Sequence, residues 1–381
     1  MINELLYNFG SKPSAIRTMF MYGLERKKIV GEDNVYDFSI GNPRSTTPQV
    51  ATDTLKKLLD EDPVSLHAYS VAAGHDEVRE QIADYISKTY DYPASPENIF
   101  VTTGAAEAIA SVMCAIAVEG EEVIVIAPYF PEYSVWIKNA LATPVEVMAD
   151  PETFQIDVNA VKAAITDKTA AVIINSPCNP TGAIYSEQNI KDLSAVLNDA
   201  DHKIYLVCDE PYRKINYGKA VPWVPKYYEH TIVCDSASKT LSMPGERIGH
   251  VFCNDKKAFD AISGSARALG HVCAPVLFQR MYGKCIDVQP DVSVYDTNRK
   301  LLTKMFDELG ITYVDPQGAF YLWAKSPCED FVQKCMDRDI LVVPSDSFGI
   351  QGWFRIGYCV STEMILNSML AWKRVMANVN N

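Results

Sequence analysis

The sequence lacks a long hydrophobic run, and it lacks a surplus of positive charge. No stretch of it approaches the ~20 uninterrupted apolar residues that a membrane-spanning helix needs, so no membrane association is predicted. Against 48 acidic residues there are 35 lysines and arginines, which gives a formal net charge of −13. Because binding to a phosphate backbone depends on an excess of lysine and arginine, this balance argues against a nucleic-acid partner.

The N-terminal segment lacks the features of a secretory signal. It has no positively charged start followed by an apolar core and a small-residue cleavage site. The sequence therefore predicts a cytoplasmic protein.

Paired cysteines and clustered histidines are also missing. The ten cysteines stand singly, no CxxC pair occurs, and the six histidines form no HxxxH set. Several of the cysteines lie inside apolar runs such as YLVCD and TIVCD. This pattern is typical of buried, reduced thiols rather than of a disulfide framework or a metal site, so no metal is predicted.

The sequence is long enough for more than one domain, and its middle part alternates between strand-like and helix-like patterns of apolar residues. A chain of 381 residues is expected to form two or three domains, at roughly 100–200 residues for each. Short apolar runs alternate with segments of helical spacing in the middle of the chain, which predicts an α/β domain with a mainly parallel sheet flanked by helices. The predicted buried parallel strands are 98–103, 122–127, 170–175 and 203–209, and the runs at 231–235 and 250–254 continue this series.

The pattern changes after about residue 285. A long helical stretch at 292–309 leads into short strands at 311–314 and 319–324, a helix at 330–337, two further strands and a closing helix from 362 to about 375. We predict a smaller α+β domain formed by residues 1–44 and 286–381, beside a large cofactor-binding domain at 45–285.

Five of the six predicted strands of the large domain are followed by residues that are capable of binding or catalysis. Ligands of parallel sheets bind beyond the carboxyl ends of the strands. Taken singly, each exit has an ordinary explanation, such as a turn glycine, aromatic packing, a Pro-Asx turn, a helix cap or a solvated lysine. The successive exits are GAAEA at 104–108, PYFPEY at 128–133, SPCNPTG at 176–182, DEPY at 209–212, and DSASK at 235–239 with Arg247 downstream.

The five exits together indicate one ligand. Small residues at a helix start let backbone N–H groups approach an anion, and the partly buried Asp209 needs a cationic or proton-bearing partner. Lys239, if desolvated beside a cation, becomes a nucleophile toward a carbonyl. These parts suit a phosphorylated, planar, cationic heteroaromatic group that is held covalently.

Along essentially the whole chain, from SIGNP at 39–43 to WFRIG at 353–357, the sequence resembles the fold-type I, pyridoxal-phosphate-dependent aminotransferases of class I/II. The motifs NSPCNPTG, CDEPY, SASK with Arg247 downstream, and FRIG are jointly very specific, and GAAEA and YSVAAG (69–74) support them. The resemblance implies an aspartate aminotransferase-like fold. It also implies ping-pong transfer of an amino group from an L-amino acid to a 2-oxo acid.

The resemblance assigns the residues around the cofactor ring. Lys239 would form a Schiff base with pyridoxal 5'-phosphate and shuttle a proton, and Asp209 would pair with the protonated pyridine nitrogen. Asn179 and Tyr212 would hydrogen-bond the phenolic oxygen of the ring, on which Phe130 would stack. Lys239, Asp209 and Tyr212 are therefore the predicted catalytic residues.

The resemblance also assigns the phosphate and the substrate. The groups expected to hold the phosphate are Ser236, Ser238, Arg247 and the backbone of Ala105 and Ala106. Tyr69 would reach the phosphate of a neighbouring subunit, which implies a homodimer with shared active sites. Arg355 would grip the α-carboxylate of the substrate bidentately, in a pocket that Gly41 and Asn179 also line.

The choice of substrate stays open at the level of sequence. Arg17 is a candidate cation for an acidic side chain, although a surface position explains it equally well. Aromatic residues near the pocket motifs suit broad or aromatic substrates instead; they are Tyr69, Phe130, Tyr133 and Tyr321.

Two other functions compete with transamination. Carbon–sulfur β-lyases share the fold, but those similar to cystathionine lyases carry histidine where this chain has Cys178, and Ile-His where it has Pro211–Tyr212. A cofactor-binding protein without catalysis is the other alternative, and the presence of Lys239, Asp209 and Arg355 argues against it. Both comparisons favour an aminotransferase.

Overall fold

A seven-stranded sheet forms the centre of the computed structural model, which describes residues 2–379. The ends of the predicted small domain, Met1 and residues 380–381, lie outside the described part. Twelve strands lie within residues 2–379. In chain order the twelve are β1 (Tyr36–Asp37), β2 (Ile99–Thr102), β3 (Glu122–Ala127), β4 (Thr143–Met148), β5 (Thr169–Asn175), β6 (Tyr205–Asp209), β7 (Thr231–Ser236), β8 (Gly249–Cys253), β9 (Tyr321–Lys325), β10 (Ile340–Leu341), β11 (Val343–Pro344) and β12 (Trp353–Gly357). The strands β2 to β8 form the seven-stranded sheet.

Some of the helices cover both faces of this sheet, and others pack on the small sheet described below. Fifteen α-helices lie within residues 2–379. They are α1 (Glu4–Ser11), α2 (Ala15–Val30), α3 (Gln49–Leu59), α4 (Pro63–His67), α5 (Asp76–Tyr90), α6 (Ala105–Ile116), α7 (Glu132–Asn139), α8 (Val158–Ala164), α9 (Glu187–Asn198), α10 (Ala237–Thr240), α11 (Lys256–Ala268), α12 (Val276–Lys284), α13 (Ser293–Leu309), α14 (Phe331–Met336) and α15 (Thr362–Val379). Within residues 2–379, none of them is long and apolar enough to cross a membrane.

The central strands are buried on both sides, which explains their unbroken apolar sequence. In β5, Val172 and Ile174 belong to a core that includes residues of α5, α9 and α12. The intervening Ile173 faces a second core, built with residues of α6, α7 and α11. The predicted α/β fold with a mainly parallel sheet is confirmed.

The strand order is β2-β8-β7-β6-β5-β3-β4, and one direction differs from the prediction. β8 pairs antiparallel with both β2 and β7, so the expectation that 250–254 continues the parallel series is wrong. Parallel neighbours need a crossover of about a dozen residues or more, usually a helix that returns the chain to the starting edge. The connection from Ser236 to Gly249 contains only the single turn α10 and a short 3₁₀ segment, so the chain turns back directly.

The C-terminal region has a separate small sheet and core. β9, β12 and β11 form an antiparallel sheet, packed with α13 and α15 through Phe306, Phe354 and Trp372. The predicted strand at 311–314 is wrong, since only a single bridge joins Tyr313 to Ala324. β1 pairs parallel with β10, which links the N-terminal segment to this region. The domain division at residues 45 and 285 stays a prediction.

Candidate active site

A cavity of about 280 Å³ lies at the carboxyl edge of the parallel strands. The loops that follow β2, β3, β5, β6 and β7 all reach it. Of the residues predicted for the site, all except Tyr69 line this cavity: Gly41, Ala105, Ala106, Phe130, Asn179, Asp209, Tyr212, Ser236, Ser238, Lys239, Arg247 and Arg355. Their individual roles stay predictions.

One end of the cavity is built to receive an anion. α6 begins at Ala105, and the first N–H groups of a helix have no acceptor within it. The preceding Gly104 has φ of +94°, and a Cβ there would lie 2.7 Å from Nη2 of Arg247. The hydroxyl of Ser236 is buried without a hydrogen-bond partner in residues 2–379. Backbone donors, a guanidinium and an unpartnered hydroxyl therefore line the same cavity, and Arg247 lies beside the start of α6.

The reversed direction of β8 brings Arg247 to this end. Gly249, the first residue of β8, pairs with both Thr102 of β2 and Ser236 of β7. Arg247 comes just before it, in the left-handed conformation with φ of +53°, and its Nη1 donates to the carbonyl of Pro244 at 2.8 Å. A parallel β8 would have begun at the opposite edge of the sheet and carried Arg247 away from the cavity.

Asp209 ends β6 as a buried carboxylate with one oxygen free. The hydroxyl of Tyr133 donates to Oδ2 at 2.5 Å, whereas Oδ1 is buried and has no partner among the described residues. Burial raises the pKa of Asp209 to about 7, and the hydrogen bond from Tyr133 opposes that rise. A cationic N–H donor at Oδ1 would lower the pKa and favour the ionised form.

The loop after β5 is tied to the end of β6. The side-chain amide of Asn175 donates to the carbonyl of Asp209 at 2.7 Å, and its oxygen accepts from the backbone N–H of Asn179 at 2.6 Å. Asn175 thus sets the position of Asn179 relative to Asp209. Since Asn175 is the last residue of β5, its side chain is placed by the sheet itself.

Lys239 lies in α10, one turn beyond β7. Its Nζ donates to the carbonyl of Gly41 at 2.7 Å. Burial is the main reason that the pKa of Lys239 falls to about 8, and the nearby positive charges of Arg355 and Arg247 contribute to that fall. A lysine with such a pKa is partly neutral near pH 7.5, and the neutral amine is the nucleophilic form.

Arg355 is a buried cation without an ion-pair partner in residues 2–379. It lies in the middle of β12 with 1% of its surface exposed. Nη1 donates to Oδ1 of Asn179 at 2.9 Å and Nη2 to the carbonyl of Ser39 at 2.7 Å, while Nε is buried without a partner. A buried charge is costly unless it is paired, so this guanidinium favours a ligand carboxylate.

Gly41 and Tyr321 meet at the same wall. The hydroxyls of Tyr321 and Tyr212 are 3.0 Å apart, and the ring of Tyr321 lies 4.5 Å from the guanidinium of Arg355. A Cβ on Gly41 would lie 1.9 Å from the hydroxyl of Tyr321. Only glycine therefore fits at position 41 while this pair of tyrosines keeps its place.

The sequence did not predict the contact of Tyr133 with Asp209 or that of Tyr321 with Tyr212. One predicted site residue, Tyr69, lies away from the cavity. Tyr133 and Tyr321 were expected only as aromatic residues that suit broad or aromatic substrates, although Tyr133 lies three residues after Phe130 in the same strand exit. Nothing in the sequence pointed to the contact of Tyr321 with Tyr212. Tyr69 does not line the cavity, and 83% of its surface is exposed.

Comparisons with known proteins agree with this geometry. The family model described as aminotransferase class I and II matches residues 33–369. An aspartate/prephenate aminotransferase of Thermus thermophilus is 30% identical, with 96% of each chain covered, and an aspartate aminotransferase of Pyrococcus abyssi is 29% identical over the same shares.

Solved structures show the same likeness. An aminotransferase from Eubacterium rectale matches with a TM-score of 0.97 and 45% identity over all of both chains. The aspartate aminotransferase from Thermus thermophilus with maleate matches with a TM-score of 0.89 and 27% identity, over 98% of this chain and 99% of that one. The resemblance inferred from the motifs is confirmed, and the chain belongs to the class I and II aminotransferases, a family of generally pyridoxal-phosphate-dependent enzymes that transfer an amino group from an amino acid to a 2-oxo acid.

Proposed function

We propose that this aminotransferase holds pyridoxal 5'-phosphate in the 280 Å³ cavity, with Lys239 as the residue that binds it covalently. The observation that carries the proposal is a set of unsatisfied groups around one space. Asp209 Oδ1, Ser236 Oγ and Arg355 Nε are buried there without partners in the described residues. A ligand with a cationic ring nitrogen, a phosphate and an attached carboxylate would place a partner beside each of these three residues.

The residues present fit the cofactor. Asp209 supplies an acceptor for the ring nitrogen, and Asn179 and Tyr212 supply hydrogen-bonding groups for the phenolic oxygen. The N-terminus of α6, Ser236, Ser238 and Arg247 supply the donors for the phosphate, and Phe130 offers an aromatic face. When bound, pyridoxal phosphate supplies an electron sink for the charge that develops at the substrate α-carbon.

The chain's own residues then orient the substrate and move a proton. Each Nη of Arg355 carries a second N–H beyond its contact with Asn179 or Ser39, so the guanidinium can still hold an α-carboxylate bidentately. That grip positions the α-carbon. Lys239, whose pKa is about 8, can accept the α-proton at Nζ in its neutral form and return it. Asp209, when ionised, keeps the ring nitrogen protonated.

We further propose a homodimer. Tyr69 is 83% exposed in the single chain, which agrees with a tyrosine that completes the phosphate site of a second subunit. The neighbouring Val64 and Val71 are also exposed apolar residues. Analytical ultracentrifugation is expected to give twice the mass of the chain, and a monomer would contradict the proposal.

Transamination is favoured over β-elimination because the relatives named above are aminotransferases. Their names point to aspartate as an amino donor, so aspartate is the reference against which other amino acids are measured. A β-lyase would instead release ammonia and a 2-oxo acid from a single substrate.

The test is the Lys239→Ala variant. The purified wild-type protein, incubated with pyridoxal phosphate, is expected to show a visible absorbance band that persists through dialysis and disappears when an amino acid is added. Lys239→Ala is expected to lose the band. Lys191→Ala serves as the control, since this lysine pairs with Glu187 on the surface of α9. A wild-type protein that takes up no cofactor, or a Lys239→Ala protein with an unchanged band, would refute the proposal.

A further inference from the structure

Tyr321 lines the cavity but is not one of the residues proposed to hold the cofactor or the α-carboxylate. It is the first residue of β9, and 3% of its surface is exposed in the single chain. Its two polar neighbours, Tyr212 and Arg355, are also buried. The contacts among these three side chains are therefore made within one chain and do not depend on a second subunit.

The register of the small sheet places the ring of Tyr321 against Arg355. In the antiparallel pair of β9 and β12, Arg355 lies opposite Trp323. Tyr321 precedes Trp323 by two residues, so its side chain is on the same face of the sheet. Diagonal neighbours of this kind are within reach of aromatic and long side chains. The ring centroid of Tyr321 lies 4.5 Å from Cζ of Arg355, which is close enough for a cation–π contact.

The hydroxyl of Tyr321 contacts a proposed cofactor ligand. It lies 3.0 Å from the hydroxyl of Tyr212. Burial raises the pKa of Tyr321 to about 12 and the pKa of Tyr212 well above its usual value, so both hydroxyls keep their protons. Each hydroxyl has a single proton to donate. When Tyr212 donates its proton to the phenolic oxygen of the cofactor, the hydrogen bond between the two tyrosines has to be donated by Tyr321.

The same hydroxyl packs against the backbone that holds Lys239. A Cβ on Gly41 would lie 1.9 Å from the oxygen of Tyr321, so this oxygen fills the space that a side chain would take at position 41. The carbonyl of Gly41 accepts from Nζ of Lys239 at 2.7 Å. Tyr321 therefore lies against the lysine's hydrogen-bond partner as well as against Arg355 and Tyr212.

We infer that Tyr321 is a positioning residue that joins the two halves of the site. Its ring holds the guanidinium of Arg355 in place for the α-carboxylate, and its hydroxyl donates to Tyr212. This inference rests on the proposed function.

The hydroxyl acts through Tyr212 on the proton of Lys239. A hydrogen bond received by the oxygen of Tyr212 makes its own proton a stronger donor, because adjacent hydrogen bonds polarise one another. A stronger donor at the phenolic oxygen draws negative charge away from the proton on Nζ of Lys239. When the cofactor is bound, Tyr321 therefore lowers the pH at which Nζ loses that proton.

The first test measures the pH at which the visible band of the holoenzyme changes, in the absence of substrate. Tyr321→Phe removes the hydroxyl and keeps the ring, and it is expected to raise the midpoint of this change by about 0.3–0.6 pH units. In a Tyr212→Phe background the same substitution is expected to leave the midpoint unchanged, because the receiving oxygen is already gone. A midpoint that Tyr321→Phe does not raise, or an equal rise in both backgrounds, would overturn the role of the hydroxyl.

Tyr358→Phe is the matched control. The hydroxyls of Tyr217 and Tyr358 are also 3.0 Å apart, and both residues pack in the core that contains Tyr321, but neither lines the cavity. This variant also removes one hydroxyl from a tyrosine pair, and it is expected to leave the midpoint unchanged. A rise as large as that in Tyr321→Phe would show that loosening of the core causes the shift, and it would refute the inference.

The second test measures the grip on a carboxylate without turnover. Calorimetry of the holoenzyme with propanoate, which cannot react, compares the wild type with two variants. Tyr321→Phe keeps the ring and is expected to bind propanoate within about twofold of wild type, whereas Tyr321→Leu is expected to bind it at least about fivefold more weakly. Equal binding by Tyr321→Leu and wild type, or an equal loss in both variants, would overturn the role of the ring.

The same titration of the cofactor-free protein separates this inference from the proposed function. If the wild type takes up no cofactor, the proposed function and the role of the hydroxyl both fail. A selective loss of propanoate binding in Tyr321→Leu would still support the contact of the ring with Arg355, and unchanged binding would still refute it. A holoenzyme whose visible band has the same pH midpoint in wild type and Tyr321→Phe would instead leave the proposed function standing and refute the role of the hydroxyl.

Discussion

The hydrogen bond from Tyr133 to Asp209 favours the ionised form of a carboxylate whose pKa is raised by burial. The hydroxyl donates to Oδ2 at 2.5 Å. Burial and the neighbouring Asp209 raise the pKa of Tyr133 well above its usual value, so the hydroxyl stays protonated and remains a donor. Tyr133→Phe removes this donor and leaves the ring, so that Oδ2 of Asp209, like Oδ1, is then without a side-chain partner among the described residues.

The magnitude follows from the charge on the acceptor. A hydrogen bond to a charged group contributes about 1.5–3 kcal/mol, which corresponds to a change of roughly 1–2 in pKa. The pKa of Asp209 is about 7 with the bond in place. In the cofactor-free variant we therefore expect Asp209 to titrate at roughly pH 8–9.

The sign of the pH dependence follows from linkage. The pKa of Asp209 rises from 3.8 to about 7 on folding, so its contribution to the free energy of unfolding is complete below pH 3.8 and is lost as the pH rises to about 7. That loss amounts to about 4 kcal/mol. In Tyr133→Phe the loss continues to a higher pH, by a further ~1.5–3 kcal/mol.

Urea unfolding of the cofactor-free protein at pH 5, 7 and 9 measures this difference. The gap in free energy of unfolding between wild type and Tyr133→Phe is expected to widen between pH 5 and pH 9. In an Asp209→Asn background the same tyrosine substitution should produce a gap that does not change with pH. In the holoenzyme, the half-reaction with an amino acid should slow by about 10- to 100-fold.

Tyr129→Phe is the matched control. Tyr129 lies close by in the chain, but its hydroxyl donates to Glu146 at 2.6 Å instead of Asp209. It should therefore cost stability without changing how the stability depends on pH above 7. If Tyr133→Phe shows the same gap from wild type at pH 5 and pH 9, the hydrogen bond does not set the pKa of Asp209.

Two other substitutions test the substrate side of the cavity. Arg355→Ala is expected to weaken amino-acid binding about 100-fold, as befits the loss of a charged hydrogen-bonding pair, while cofactor uptake persists; Arg355→Lys should recover only part of this because it cannot bind bidentately. Unchanged substrate affinity in a spectroscopic titration would contradict the role. Gly41→Ala is expected to displace Tyr321, since its Cβ would lie 1.9 Å from that hydroxyl, at a stability cost of about 1–3 kcal/mol and with a slower half-reaction. Gly10→Ala, with no atom within 4 Å of its Cβ, is the control, and equal behaviour of the two variants would show that position 41 is not crowded.

Much of the central sheet could be predicted because a strand that is buried on both faces has a continuous run of apolar residues. The apolar run at 122–127 coincides with β3, whose residues from Val123 on are buried. β4 was not predicted, because this edge strand (Thr143–Met148) is largely exposed or half-buried. Its apolar residues are interspersed with polar ones, so it has no continuous apolar run. The predicted strand at 311–314 had suitable residues, but within residues 2–379 it makes only an isolated bridge, from Tyr313 to Ala324, and pairs with no continuous strand.

The direction of β8 could not be predicted, and it matters for the site. An apolar run has the same composition whichever way it crosses the sheet. The short connection after Ser236 decides the direction, and the antiparallel β8 brings Arg247 to the edge where α6 begins. A prediction based on the apolar run alone would have placed that arginine at the wrong end of the sheet.

The sequence by itself determined which chemical groups follow each strand, because those groups are adjacent to the strands in the chain and parallel strands end at one edge. Asp209, Asn179 and Lys239 could be picked out for that reason. The tertiary structure alone decided which groups touch. Arg355 is held by Asn179 and Ser39, which are 176 and 316 residues away in sequence, and Tyr133 bonds Asp209 across 76 residues. Such contacts depend on how distant segments pack, and it is this packing that leaves Oδ1 of Asp209 and Nε of Arg355 buried without a partner among the described residues.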